Sequence, residues 1–261
     1  MPLDFLLDMW DAFLLIFVRI TGLFVVAPVF GRQNLPAYYK IGFSFILAIV
    51  LSYTVQYPSP GSYASIFTYI LLVAKEFITG LALGYISYFI LTSIYLAGQM
   101  IDLHIGFGMV NVFDPEANIQ IPVTANFYFI LTMLIFIIID GHHLLIYTLT
   151  ESFSILPLGS RFTIKQPLMD FVIGLFGSVF AISFKIAAPV TAAVLIADLA
   201  LGIIAKAVPQ VNVFIVGLPL KILLGLGVIL ITLTVFRSIV HVLMGGMREE
   251  MNYFMEILRE V

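Results

Sequence analysis

Two apolar stretches of this sequence are too long to cross a lipid bilayer once, and neither contains a clear turn signal. As one α-helix, residues 61–102 would extend about 63 Å, roughly twice the thickness of a hydrocarbon core. Residues 212–259 are similar in length, and no proline follows Pro219. Each stretch is either a hairpin, broken near Gly84 or Gly225, or a helix that projects beyond the bilayer. We predict one long or kinked helix in each.

Hydropathy places the whole chain among integral membrane proteins. Of its 261 residues 62% are hydrophobic and 10% are charged, and the mean hydropathy is +1.13. Soluble domains have about 45–50% apolar residues. Six apolar segments and a shorter amphipathic one predict six or seven helices, hence an all-α membrane protein of long kinked helices and helical hairpins. The segments are 12–30, 41–57, 63–103, 123–139, 171–201 and 213–244, with 142–156 as the amphipathic one.

Charge and residue types exclude several classes of function. The net charge of −3 leaves no basic surface for nucleic acid. The chain has no cysteine, which excludes disulfides, thiol catalysis and Cys-ligated metals. It contains no nucleophile elbow, phosphate loop or paired-carboxylate motif, so we expect neither an enzyme nor a bound cofactor. Asp4, Asp8 and Asp11 stand where a secretory signal would carry Lys or Arg, and no cleaved signal is expected.

A central segment, residues 104–122, separates two apolar runs and does not read as a helix. Gly106 and Gly108 each weaken a helix by about 1 kcal/mol relative to Ala, and Pro115 disfavours a helical Asp114. The segment also contains too many apolar residues to lie free in water. The composition fits a movable plug inside an assembly, or a re-entrant or interfacial turn.

Nine charged residues interrupt the apolar segments, and facing lipid would cost about 2.5–3.5 kcal/mol for each. Lys75 and Glu76 point about 100° apart on a helix, so each needs a partner from another helix or another subunit. Asp198 and Lys206 share a stripe but lie about 12 Å apart, so that stripe faces a neighbour or a water-lined groove. The nine are Arg19, Lys75, Glu76, Asp102, Lys185, Asp198, Lys206, Lys221 and Arg237.

The sequence 140–143, Asp-Gly-His-His, is the one cluster that resembles a metal site. Adjacent histidines diverge on a helix, and no ligand stands at the i+4 spacing of a helical zinc motif. We therefore predict no metal and assign Asp140 as the N-cap of the helix that follows. The isolated His104 and His241 are read as structural.

Several sequence blocks together resemble the FliR family of type III export-gate proteins, which includes injectisome counterparts. The resemblance is specific and spans nearly the whole chain, although the final twenty residues carry no block. One mild departure is Val211, where the family pattern Pro-Gln-Met-Asn has Met. The blocks are 19–31, 97–102 with 106–109 and 114–115, 140–143 with 152–153 and 157–159, and 208–214 with 217–221.

The resemblance implies a pore complex with several copies of FliP and FliQ in the bacterial inner membrane, at the flagellar basal body. FlhB and FlhA would be further partners, membrane lipid would surround the complex, and exported proteins would be transient cargo. Residues 1–156, with the loop 104–122, would be FliP-like, and 157–261 would be a FliQ-like hairpin. The loop would plug the channel through Gly106, Phe107, Gly108, Met109, Val110, Asn111, Val112 and Phe113.

We further predict that a set of charged and polar residues lies at subunit seams. The alternative function is a small secondary transporter or ion-coupled permease, with Asp102, Lys185 and Asp198 as midplane ion sites. An intramembrane hydrolase built on Asp140 and His142 fails for want of ligand spacing. The predicted seam residues are Arg19, Lys75, Glu76, Asp102, Lys185, Asp198, Lys206, Pro209, Gln210, Asn212 and Lys221.

Overall fold

Seven α-helices make up the secondary structure of the described residues, and no strand occurs among them. The computed structural model describes residues 3–31, 35–55, 66–107, 122–159, 166–210 and 212–259. The helices are α1 Leu3–Val26, α2 Ala37–Ser52, α3 Ile66–Ile105, α4 Val123–Ile138, α5 Gly141–Ile155, α6 Gln166–Ala207 and α7 Val213–Arg259.

The predicted long helices are confirmed, and a third joins them. Helices α3, α6 and α7 contain 40, 42 and 47 residues. At 1.5 Å per residue these are about 60, 63 and 70 Å of helix. Gly84 lies within α3 and Gly225 within α7, without a reversal at either. All three helices are long and apolar enough to span a membrane, and α4 with α5 could form a fourth, broken span. The chain is an all-α integral membrane protein.

The chain divides into two compact units. One comprises Met1–Ile90, Asp140–Leu175 and Met244–Val261, and the other comprises Leu91–Ile139 and Phe176–Leu243. Helices α3, α6 and α7 each contribute to both units. This division by contacts differs from the predicted boundary at residue 156, which rests on likeness to FliP and FliQ and remains a prediction.

Glycines allow α1 and α3 to pack backbone against backbone in the first unit. A Cβ at Gly22 would collide with the carbonyl oxygen of Phe77, and one at Gly80 with that of Arg19. The spacing of Gly80 and Gly84 is a small-xxx-small pattern, which permits such close approach. Aromatic rings attach α2 to the other side of α1: the centroids of Phe24 and Phe43 lie 5.3 Å apart.

In the second unit α3 supports three other helices. Gly98 allows α4 to approach at Ala125, where a Cβ on the glycine would clash. The hydroxyl of Ser183, on α6, donates to the backbone oxygen of Ser93 at 2.8 Å. Gly225, on α7, lies beneath the side chain of Ile105 at the last residue of α3. The end of α3 is therefore held from three sides.

Candidate functional site

Arg19 is the centre of a buried polar network in the first unit. It is 1% exposed and its partner Glu76 is 0% exposed. The Nε atom donates to Glu76 Oε2 at 2.6 Å, and Nη2 completes an ion pair with the same oxygen. Nη1 donates to the backbone oxygen and to Oγ of Ser152, at 3.1 and 3.2 Å, and Nη2 donates to the oxygen of Leu156 at 3.0 Å. The guanidinium also lies 4.4 Å from the ring centroid of Phe153.

This network corrects the placement of two predicted seam residues. Glu76 needed a partner outside its own helix, and that partner is Arg19 of α1 in the same chain. Both side chains are interior because neighbouring helices of one chain enclose them, so neither presents a charge to another subunit. The adjacent Lys75 is only half-buried, and its seam role remains a prediction.

Asp102 fastens the two ends of the central loop to each other. Its carboxylate is buried and accepts hydrogen bonds from the backbone N–H of Thr124, at 2.9 Å, and of Ala125, at 3.3 Å. These are first-turn donors of α4, whose N-cap residue, Pro122, supplies no side-chain bond. A carboxylate at a helix N-terminus satisfies free N–H groups and matches the helix dipole. Asp102 therefore acts within the chain as the cap of α4.

A cleft of about 340 Å³ opens beside the start of the central loop, between the end of α3 and the facing parts of α6 and α7. Across it Asp198 of α6 forms an ion pair with Lys221 of α7. Gly106, at the rim, has φ +97, a conformation that L side chains rarely adopt. The seam roles of Asp198 and Lys221 remain predictions.

The remaining predicted seam residues lie on the surface of the single chain. Lys185 and Lys206 are exposed on α6, and no described acidic group forms an ion pair with either. Three more stand at the turn between α6 and α7, where Oδ1 of Asn212 lies 3.4 Å from the N–H of Ile215, in the first turn of α7. Their exposure leaves them available to a neighbouring subunit, and the seam role stays a prediction. The turn residues are Pro209, Gln210 and Asn212.

Comparison with known proteins decides the family. Residues 10–247 match the family described as bacterial export proteins, family 1. The chain belongs to this family. Curated relatives named flagellar biosynthetic protein FliR include that of Bacillus subtilis, 37% identical over 90% of this chain and 91% of the relative. Those of Escherichia coli and Aquifex aeolicus are 27% and 29% identical, over 80% and 84% of this chain and 79% and 84% of theirs.

The predicted resemblance to the FliR family is thus confirmed, and flagellar biosynthesis is the function that the relatives' names give. Of the predicted plug residues, this FliR-family structure describes Gly106 and Phe107, which directly follow α3. The plug role remains a prediction. The other six, Gly108, Met109, Val110, Asn111, Val112 and Phe113, lie outside the described residues.

The predicted capping role of Asp140 is wrong in its detail. Asp140 does hold the N-cap position of α5, but its backbone is left-handed, with φ 58, and its side chain makes no capping hydrogen bond. Instead its Oδ1 lies 3.5 Å from Nδ1 of His143. The Asp-Gly-His-His sequence signals polar side chains at a helix start, but it does not reveal which way they turn.

One further polar contact of this FliR-family chain was not anticipated from the sequence. Arg248 of α7 forms an ion pair with Glu151 of α5 at 3.4 Å and stacks on Tyr147, with 4.7 Å between guanidinium and ring centroid. The two partners are about 97 residues apart in sequence. The available signal was the i,i+4 spacing of Tyr147 and Glu151, which puts both on one face of α5.

Proposed function

We propose that this chain is a subunit of the export-gate pore of the flagellar type III secretion apparatus. It assembles with FliP and FliQ in the bacterial inner membrane, where the complex conducts unfolded export substrates. FlhB and FlhA are proposed neighbours of the same apparatus. Membership of the bacterial export family supports export, and the dimensions and surface of the helices support assembly.

The observation that carries the proposal is the length of apolar helix left uncovered by the chain itself. Exposed large hydrophobic side chains occur along almost the whole of these helices, from Ile66 to Leu103 in α3 and from Met169 to Ile204 in α6. A bilayer core of about 30 Å covers roughly half of a helix 60–70 Å long. Water is a poor solvent for the rest, so other protein surfaces must cover it.

Exposed charges on the same helices also support assembly with other subunits. Lys185 lies near the middle of α6 and Arg237 near the middle of α7, and both are exposed. Placing either against hydrocarbon costs about 2.5–3.5 kcal/mol. Contact with polar groups of a neighbouring subunit, or with a water-filled channel, removes that cost.

The central loop is proposed as the plug of this pore. Asp102 accepts from first-turn N–H groups of α4, so the helices on either side of the loop are fastened to each other by a contact outside it. Gly106 starts it with a backbone conformation that favours glycine. Phe107, Met109 and Phe113 would narrow and dewet a pore, and a dewetted constriction excludes ions.

Assembly is tested by co-expressing the affinity-tagged chain with FliP and FliQ from its own organism and sizing the detergent extract. The chain is expected to co-elute with both proteins in a complex of several hundred kilodaltons. A well-behaved chain that elutes alone in their presence would refute the proposal. It would favour the transporter reading, in which Asp102, Lys185 and Asp198 serve a self-contained ion pathway.

A charge reversal in the same assay locates the seam. Lys185→Glu is expected to lower recovery of FliP and FliQ several-fold, because the new carboxylate meets a surface arranged for a cation. Glu256→Lys is the matched control, since Glu256 is exposed near the polar end of α7. Equal recovery with both variants would exclude Lys185 from the seam.

A further inference from the structure

We propose that Asp140, His142 and His143, at the start of α5, form a binding site for a divalent transition-metal ion of the zinc class. The proposal concerns this cluster alone and does not depend on assembly with other subunits. It revises the expectation from sequence, which rejected a metal because neighbouring histidines diverge along a regular helix.

The geometry removes that objection. One ligand atom from each of the three side chains lies within 4.8 Å of the others, and the two imidazole centroids are 4.2 Å apart. Tetrahedral zinc with bonds of about 2.0–2.2 Å brings its ligand atoms to roughly 3.4 Å from one another. Adjustments of about 1 Å therefore complete the site. Asp140 and His143 have side chains that are 69% exposed, so they can rotate freely to make them.

Two further observations show donors that the fold leaves uncommitted. Nδ1 of His142 is buried and has no hydrogen-bond partner among the described residues. Asp140 occupies an N-cap position yet gives its carboxylate to no N–H group of α5, and a left-handed backbone turns it toward His143. A buried nitrogen without a partner destabilises the fold, and a coordinated ion would relieve this.

The donor set selects the kind of ion. Imidazole suits Zn²⁺, Cu²⁺, Ni²⁺ and Co²⁺, whereas Mg²⁺ and Ca²⁺ prefer oxygen ligands throughout. Two imidazoles and one carboxylate leave the fourth position of a tetrahedral ion open to water or to another ligand. The N-terminal end of the helix dipole opposes a cation, and the carboxylate of Asp140 offsets that opposition.

The test is calorimetric titration of ZnCl₂ into the full-length chain, purified in detergent through a tag without histidine. One zinc ion per chain is expected to bind, and millimolar Mg²⁺ should not displace it. His142→Gln and His143→Gln are each expected to weaken binding at least tenfold, and Asp140→Asn to weaken it less. His241→Gln, at an exposed position on α7, is the matched control and should bind zinc like the unaltered chain.

Three results would overturn the proposal. One is no saturable binding, a second is binding that neither histidine substitution weakens, and a third is equal weakening in the His241→Gln control. Size-exclusion elution of each variant separates lost binding from lost folding. Because the side chain of His143 is 69% exposed, His143→Gln is expected to leave folding intact, and it keeps the test decisive even where His142→Gln fails to fold.

Discussion

Arg19 shows how one side chain ties three helices together. It neutralises Glu76 of α3 and also donates to two backbone oxygens at the end of α5, those of Ser152 and Leu156. The last carbonyls of a helix lack helical donors, and the guanidinium serves the oxygen of Leu156 in this way. The oxygen of Ser152 already accepts from the N–H of Leu156 at 2.8 Å, and Arg19 is its second donor. Charge balance and the end of α5 therefore depend on the same group.

Replacing Arg19 should be costly because Glu76 has no route to water. Arg19→Met leaves a buried carboxylate without a cation, a loss of about 3–5 kcal/mol. The unfolding midpoint in detergent and the yield of monodisperse protein should both fall sharply. Adding Glu76→Met removes the unpaired charge and should restore part of the midpoint, the remainder being the hydrogen bond lost by the oxygen of Leu156. A double variant no more stable than Arg19→Met would contradict this account.

The sequence predicts that a buried charged residue has a partner, but it does not identify that partner. The charge of Glu76 within an apolar run predicts a partner, but Arg19 lies 57 residues away and no periodicity joins them. Asp102 carried a usable signal that was overlooked. Helix α4 starts after Pro122 without a Ser, Thr, Asn or Asp cap of its own, so an acceptor had to come from elsewhere.

At the scale of elements, the contact of α1 with α3 depends on the absence of side chains. Gly80→Ala would push a methyl group into the backbone oxygen of Arg19. Overpacking of this kind costs about 1–3 kcal/mol. Gly227 is the matched control, since it is also helical but has no atom near the position of a Cβ. Gly227→Ala should stabilise by up to about 1 kcal/mol.

Thermal unfolding of the two alanine variants in detergent measures this difference. The midpoint should fall for Gly80→Ala and hold or rise for Gly227→Ala. Shifts of the same sign and size would mean that the α1 to α3 contact can relax and that Gly80 is not a packing requirement.

The helices themselves could largely be predicted, because the residues that end a helix lie next to it in the sequence. Gly and Pro clusters bound each apolar run, and the lengths of α3 and α7 followed from the absence of such clusters inside 61–102 and 212–259. Pro189 lies within α6 and does not end it. Contacts with neighbouring helices can satisfy the carbonyl that a proline frees, which hydropathy does not register.

At the scale of the whole molecule, the chain exposes more apolar helix than one bilayer covers. The length of the apolar runs predicts helices longer than a bilayer, but it does not predict which helix faces stay exposed on the single chain. That depends on how α3, α6 and α7 use their buried faces, for example at Ser183 and Gly225.

Sealing and assembly should be separable properties of the proposed pore. Removing residues 106–111 is expected to leave the complex with FliP and FliQ intact, because Asp102 and α4 anchor the flanking helices. Cells producing it should leak ions or small solutes, and polar substitutions at Phe107 and Met109 should leak less. Conductance or solute release is measured beside complex yield. Collapse of the complex without leakage would make the loop a structural staple, and a tight complex would assign sealing to other subunits.

The sequence separation between Arg19 and its partners also determines the order in which its contacts can form during biosynthesis. Its partners follow it by 57 residues at Glu76 and by 133 at Ser152. At about 5–20 residues per second, the ribosome needs roughly 7–27 s to reach Ser152 after it has made Arg19. Throughout that interval the guanidinium of the newborn α1 has no carbonyl of α5 to bind. The ion pair with Glu76 can therefore form before the contacts with α5, and the network is completed in two steps during synthesis.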